Sequence, residues 1–176
     1  MSDNSWTIEM ATAAPERAEM DDLLSEYYAL MHARLNDMGC QIETPGNQAL
    51  EEFWDTIDDV LPPRGRLYLA RTPDGALVGC GSLKEISAGK GELKRLFVRP
   101  AARGTGLGKA LVDVRIAAAR DMGMNELLVD TLKANVEMRG LYAKLGFEAV
   151  DFNPVSATYK LFAELLPYMC FFRKSI

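Results

Sequence analysis

The chain has 176 residues, 48% of them apolar, with 25 carboxylates against 20 cations and a formal charge of −5. That length predicts one domain over residues 1–176, burying about 70% of the surface of the unfolded chain, and the apolar share excludes wholesale disorder. No apolar run approaches the ~20 residues of a membrane span, the N-terminus lacks the basic start and apolar core of a signal peptide, and a single histidine excludes a His-rich metal centre.

In chain order, Trp6 to Thr12 alternates as a strand. Pro15 stands where a first helical turn begins, and Glu16, Glu19, Asp21 and Asp22 complement its positive end. Met20, Leu23, Leu24, Tyr27, Met31, Leu35 and Met38 then recur at helical spacing up to Gly39. A second helix is expected over Asn47 to Asp59, stopping before Pro62-Pro63. Arg66 to Arg71 reads as a strand, Pro73-Asp74-Gly75 as a turn, and Ala76 to Ile86 as the hairpin partner. Gly89 to Gly91 makes another turn before a strand over Glu92 to Val98. The next element is a helix whose expected buried face is Leu107, Leu111, Val114, Ala118 and Met122, closed by Gly123. Glu126 to Leu132 is a β-rich run, Ala134 to Leu145 a helix, Phe147 the start of a short strand, and Tyr168 to Lys174 the last strand. Ala157 to Leu166 reads as a helix or a lid. The order βααβββαβαββ indicates an α/β fold with a mixed sheet.

Charge is unevenly placed. Between Lys84 and Arg120 nine cations face three carboxylates, a net +6 that leaves −11 for the remainder. A short basic stretch in an acidic chain fits nucleic acid poorly and a compact polyanion better, with a cationic second substrate arriving over acidic surface. Cys40, Cys80 and Cys170 match no metal spacing and read as reduced thiols of a cytoplasmic protein.

The run from Glu92 to Lys109 carries the chemistry. A strand stops before Pro100, and Arg103-Gly-Thr-Gly-Leu-Gly108 then opens straight into a helix, so that glycine amides and the helix dipole converge on an anion. A Walker A loop would need glycine at Arg103 and Ser or Thr at Ala110. A Rossmann fingerprint would need a small residue at Lys109 or at Leu111, depending on its start. Neither holds. The pattern that survives, Arg-x-x-Gly-x-Gly after a strand, is that of a coenzyme A pyrophosphate loop.

With Asn135-Val-Glu-Met-Arg-Gly-Leu-Tyr-Ala-Lys-Leu-Gly-Phe147 at the expected distance downstream, the chain resembles the GNAT superfamily of N-acetyltransferases, over roughly Trp6 to Val150. It is similar to small bacterial members carrying Glu-x-Lys-Arg-x-x-Val before the loop. The stretch Phe152 to Pro167 is longer than the resemblance leads one to expect.

The resemblance implies a mostly antiparallel sheet splayed at its fourth strand, with helices on both faces. It implies acetyl-CoA as co-substrate without a metal, and direct attack by a primary amine of a small molecule or peptide. Neither nucleic acid nor membrane is an expected partner, and since family members often dimerise, a homodimer is among the expected assemblies. The amides of Arg103, Gly104, Thr105, Gly106, Leu107, Gly108 and Lys109 would hold the pyrophosphate, with Arg103 and Lys109 adding charge. The backbones of Phe97 and Val98 would take the pantetheine arm and polarise the thioester carbonyl. Asn135 would hold the cofactor and Tyr142 would act as general acid to the leaving thiolate. Glu92 is the first candidate for the base, against a structural pairing with Lys94 or Arg95, and Asp130 is the reserve. The first two helices and the last hairpin wall the acceptor site in this fold, making Tyr27, Tyr28, Met31, Arg34 and Trp54 candidates to line it, while His32 reads as a partly exposed helix residue. A non-catalytic acyl-CoA-binding module is the alternative of a different class.

Overall fold

The structure is a computed structural model and describes residues 5–41, 46–152, 156, 158, 160 and 163–176. The strands are β1 (Thr7–Met10), β2 (Gly65–Arg71), β3 (Leu77–Ser87), β4 (Lys90–Val98), β5 (Glu126–Leu132), β6 (Glu148–Val150) and β7 (Met169–Ser175). The helices are α1 (Arg17–Asp37), α2 (Gly46–Asp55), α3 (Leu107–Asp121) and α4 (Val136–Lys144). They succeed one another in the expected order.

Several boundaries move for identifiable reasons. The second helix breaks at Thr56, whose Oγ1 donates to Glu52 O at 2.7 Å, and the chain continues as a 3₁₀ turn over Ile57–Val60. The turn before β4 is tighter than expected: Gly89 alone has positive φ, and Gly91 is a buried strand residue under Met124 and Leu83. A 3₁₀ segment over Ala163–Tyr168 leads into β7, and most of the expected helix or lid over Ala157 to Leu166 lies outside the described residues.

The seven strands form one sheet in the order β1-β2-β3-β4-β5-β7-β6, antiparallel throughout except between β4 and β5. Alternation along each strand feeds two cores. On one face Leu67, Leu69, Cys80 and Phe97 pack with Met20, Leu23 and Leu24 of α1 and Phe53 of α2. On the other, Leu83, Leu93, Leu127 and Val129 pack with Val112 and Ile116 of α3 and Tyr142 of α4. Among the described residues no helix is long and apolar enough to cross a membrane.

The pairing between β4 and β5 is short. It runs only from Lys90↔Glu126 to Leu93↔Val129, after which the two strands separate. On its other edge β4 carries one extra residue against β3, between the pairs Ser82↔Lys94 and Cys80↔Phe97. Arg95 sits in that bulge with φ +52, the single non-glycine residue of positive φ among those described. Bulge and separation together open the middle of the sheet.

Candidate active site

Two cavities meet where β4 and β5 part. The first, about 320 Å³, runs between β4, the loop after it, the start of α3 and the inner face of α4, lined by Val98, Arg103, Gly104, Gly108, Met138 and Tyr142 among others. The second, about 390 Å³, lies on the opposite side under α1 and α2, with Tyr28, His32, Glu52, Lys84, Thr158 and Met169 in its wall. Tyr27, Met31, Lys94, Arg95, Asp130, Thr131 and Asn135 line both.

The glycine loop is shaped for an anion. Gly104 and Gly106 have φ +77 and +87, conformations that other residues adopt only at a cost, and a Cβ on either would stand in open space. Gly106 is the N-cap of α3 and offers no side-chain acceptor, so the first-turn amides of Leu107, Gly108 and Lys109 are left to a ligand. The Arg103 amide is not available in the same way, because it donates to Pro100 O at 3.2 Å. The Thr105 hydroxyl is likewise committed: it accepts from Trp6 Nε1 at 3.0 Å and donates to Ala102 O at 2.7 Å, tying the loop to the 3₁₀ turn before it and to the residue that precedes β1. Leu107 itself is buried in the core, which leaves its amide as the functional part.

The basic stretch is not a basic patch. Arg99 pairs with Asp22 and Glu26, Lys109 with Asp113 at 2.6 Å, and Arg103 Nε donates to Val98 O at 2.9 Å. That last bond shows which way Val98 faces. Its carbonyl, and with it the amide of the same residue, belongs to the open edge of β4, whereas the Phe97 amide turns back to the Cys80 thiol.

Tyr142 is 3% exposed, its ring held by Phe147 at 5.4 Å and Phe172 at 5.8 Å. Burial pushes its phenol up to about 12, against a partial lowering by the Arg115 guanidinium. Asn135 caps α4 with its backbone, while its side chain accepts from Arg34 Nη1 and donates to Thr131 Oγ1 at 2.8 Å.

The two carboxylate candidates are placed differently. Glu92 is fully buried and lines neither cavity; it acts electrostatically on Lys94, two residues along. Asp130 lines both cavities, its Oδ1 lies 3.4 Å from Lys94 Nζ, and its Oδ2 is buried without a hydrogen-bond partner. Burial pulls the Lys94 ammonium down, but Asp130 and Glu92 outweigh it and its pKa is raised on balance. The bulge residue Arg95 is spent on α1 and α2, donating to Tyr28 Oη at 3.1 Å and to Glu52.

Of the expected acceptor wall, Tyr27, Tyr28 and Met31 line the second cavity. Arg34 instead lines the first, and Trp54 lines neither, donating to Asp21 Oδ1 at 2.6 Å in the α1–α2 packing. His32 does line the second cavity.

Sequence reasoning missed Arg115. It is fully buried, with Nε on Leu111 O at 2.8 Å and Nη1 on Ser82 O at 3.1 Å and Lys94 O at 3.3 Å. It thus braces the two strands that flank the bulge. Burial lowers its pKa. A signal was present: Arg115 is four residues after Leu111, on the apolar stripe of its helix.

The Acetyltransferase (GNAT) family model matches residues 20–147. Among curated relatives, an uncharacterized N-acetyltransferase of Schizosaccharomyces pombe is 34% identical over 60% of this chain and 76% of its own length. An amino-acid acetyltransferase of Mycobacterium tuberculosis is 31% identical over 62% of this chain, which spans about half (53%) of that relative. Among solved structures, the PaiA N-acetyltransferase of Thermoplasma acidophilum in complex with coenzyme A superposes with a TM-score of 0.69, covering 97% of this chain and 99% of that one at 18% identity.

Proposed function

The chain belongs to the Acetyltransferase (GNAT) family, and from that premise we propose that it transfers the acetyl group of acetyl-CoA to a primary amine by direct attack, with both substrates bound at once. The observation that supports this most is the meeting of the two cavities at the gap between β4 and β5, one leading to the glycine loop and the other away from it.

The residues present fit the carrier. The amides from Gly104 to Lys109 hold its diphosphate, the open edge of β4 at Val98 pairs with its amide-bearing arm, and Asn135 borders the same groove. When bound, acetyl-CoA supplies an activated acyl carbon, to which the amine nitrogen bonds as the carbon–sulfur bond breaks. Val98 N–H, on the free edge, is the donor placed to polarise the acyl oxygen; Phe97 serves through its side chain in the floor rather than its amide.

An alkylammonium of pKa ~10.4 is neutral in about one part in 2,500 at pH 7, a handicap of roughly 4.6 kcal/mol. A proton acceptor in the gap relieves it. Asp130 fills that role better than Glu92, because Asp130 lines both cavities and keeps one carboxylate oxygen unpartnered among the described residues, while Glu92 lines neither. Tyr142 stays protonated at every working pH and so always has a proton to donate toward the leaving sulfur. Its full transfer to a thiolate of reference pKa ~8.5 is uphill, so the phenol acts first as a hydrogen-bond donor that stabilises sulfur as charge develops there.

Calorimetry with coenzyme A, then thiol release from acetyl-CoA with a panel of amines, tests the proposal. Micromolar binding and amine-dependent release are expected. Binding without release for every amine would make the chain an acyl-CoA-binding module instead, and no binding at all would remove the reading.

A further inference from the structure

The second cavity has a charge pattern that the overall acidity of the chain does not announce. Its described charged lining consists of Lys84, Lys94 and Arg95 against Glu52 and Asp130. Two of the cations are committed: Arg95 to Glu52 and Tyr28, Lys94 to Asp130 and Thr158 Oγ1 at 3.2 Å. Among the described residues Lys84 makes no ion pair. Glu92 stands opposite it in the β3–β4 register but is buried and lines neither cavity, so a ligand there meets the ammonium of Lys84 and not the carboxylate of Glu92.

Across the cavity the complementary feature is the buried, unpartnered Oδ2 of Asp130. A carboxylate oxygen of that kind calls for an N–H donor. The sheet fixes the span between the two groups. Lys84 is paired to Glu92, which is paired to Leu128, and Asp130 lies two residues further along β5. Two strand spacings across and one pair of residues along would place their Cα atoms about 12 Å apart in a regular sheet, and the separation of β4 from β5 after Val129 widens that span. Both residues line the cavity, and a span of that order leaves room for a molecule a few bonds long.

Resting on the acceptor reading above, we propose that the acceptor is a small zwitterion, an aminocarboxylate, whose amine is held by Asp130 and whose carboxylate is held by Lys84. A diamine or aminoglycoside would put its second ammonium against Lys84, with both lining carboxylates already engaged, and is disfavoured. The reaction stays balanced: the acceptor ammonium gives one proton to Asp130, its nitrogen replaces sulfur on the acyl carbon, and the second nitrogen proton accompanies the thiol.

The test compares matched sets of one chain length: glycine, β-alanine, 4-aminobutyrate and 5-aminopentanoate, the alkylamines lacking the carboxylate, and the diamines that replace it with an amine. Thiol release gives kcat/KM, and calorimetry on the coenzyme A-saturated protein gives binding. At least one aminocarboxylate is expected to exceed its alkylamine and diamine counterparts tenfold or more. In Lys84→Gln the aminocarboxylate-to-alkylamine ratio falls at least tenfold, while Lys84→Arg keeps it within threefold. Equal or better turnover of diamines overturns the proposal while leaving the acetyl-transfer reading intact. So does a protein that binds coenzyme A but shows neither turnover nor heat with any aminocarboxylate, or a ratio unmoved by Lys84→Gln. Failure to bind coenzyme A would instead mark failure of the underlying reading.

Discussion

Replacing Gly106 by alanine separates backbone strain from ligand binding. Gly106 has φ +87 and a Cβ there meets nothing within 4 Å, so the substitution creates no clash and costs the left-handed conformation alone. That cost is about 1–2 kcal/mol, partly offset by the lower entropy of the unfolded chain, leaving about 1 kcal/mol and a fall in Tm of about 2–4 °C for a protein of this size. Gly123 is an internal control. It has φ +77, equally open space, and lies just beyond the far end of α3, about 25 Å along the axis from Gly106 at 1.5 Å per residue. The two variants are expected to lose the same stability. Only Gly106→Ala also places a methyl group on the face where the amides of Leu107, Gly108 and Lys109 would meet a diphosphate. Loss or misplacement of one charge-assisted bond there weakens coenzyme A by about 1.5–3 kcal/mol, roughly 10- to 100-fold in Kd. Thermal unfolding and calorimetry of both variants decide it. Equal coenzyme A affinity in Gly106→Ala and Gly123→Ala would refute the assignment of the loop.

The other residues make separate claims. Tyr142→Phe is expected to lower kcat at least tenfold while the KM for acetyl-CoA stays within threefold, and unchanged kcat removes its role at sulfur. The raised phenol pKa also has a sign in stability: its contribution is complete below pH 10 and is lost as pH rises toward 12, so over that span Tyr142→Phe should lose less stability than the parent in denaturant titrations. Asp130→Asn is expected to lower kcat/KM about 100-fold, whereas Glu92→Gln stays within threefold of the parent; the opposite pattern returns the base role to Glu92. Arg115→Met removes the buried guanidinium that bridges the carbonyls of Ser82 and Lys94 and should cost about 2–4 kcal/mol in urea unfolding, together with a raised KM for acetyl-CoA. A stability change below about 0.5 kcal/mol would show that the bulge does not depend on it.

Local pattern made the element order readable. Glycines closed helices where the spacing of apolar residues ran out, as at Gly39 and Gly123, and the strand-glycine-helix run from Glu92 to Lys109 marked its loop without any tertiary information. Contacts made across the sheet were not readable. Lys94 and Asp130 are 36 residues apart and meet because β4 and β5 pair in parallel just before they separate. Net charge summed along the chain does not describe the second cavity, whose described lining carries Lys84, Lys94 and Arg95 against Glu52 and Asp130. Arg115 entered only as one of the nine cations between Lys84 and Arg120, although its position on the apolar stripe of α3 marked it as buried. The buried side of α3 differs from the expected stripe: it takes in Val112, Arg115, Ile116 and Ala119 and leaves Val114 and Met122 half-buried, because the helix lies against β2, β3 and β4 together. Thr105 shows the same limit at the loop. Its hydroxyl is committed to Trp6, 99 residues away, a contact no local pattern announces.

A crystal structure of the protein with coenzyme A tests the central claim most directly. The diphosphate is expected within hydrogen-bond distance of amides between Gly104 and Lys109, the arm along the open edge of β4 at Val98, and the sulfur in the gap beside Tyr142 and Asp130. Diphosphate bound away from the glycine loop, or an arm that does not enter between β4 and β5, would contradict it.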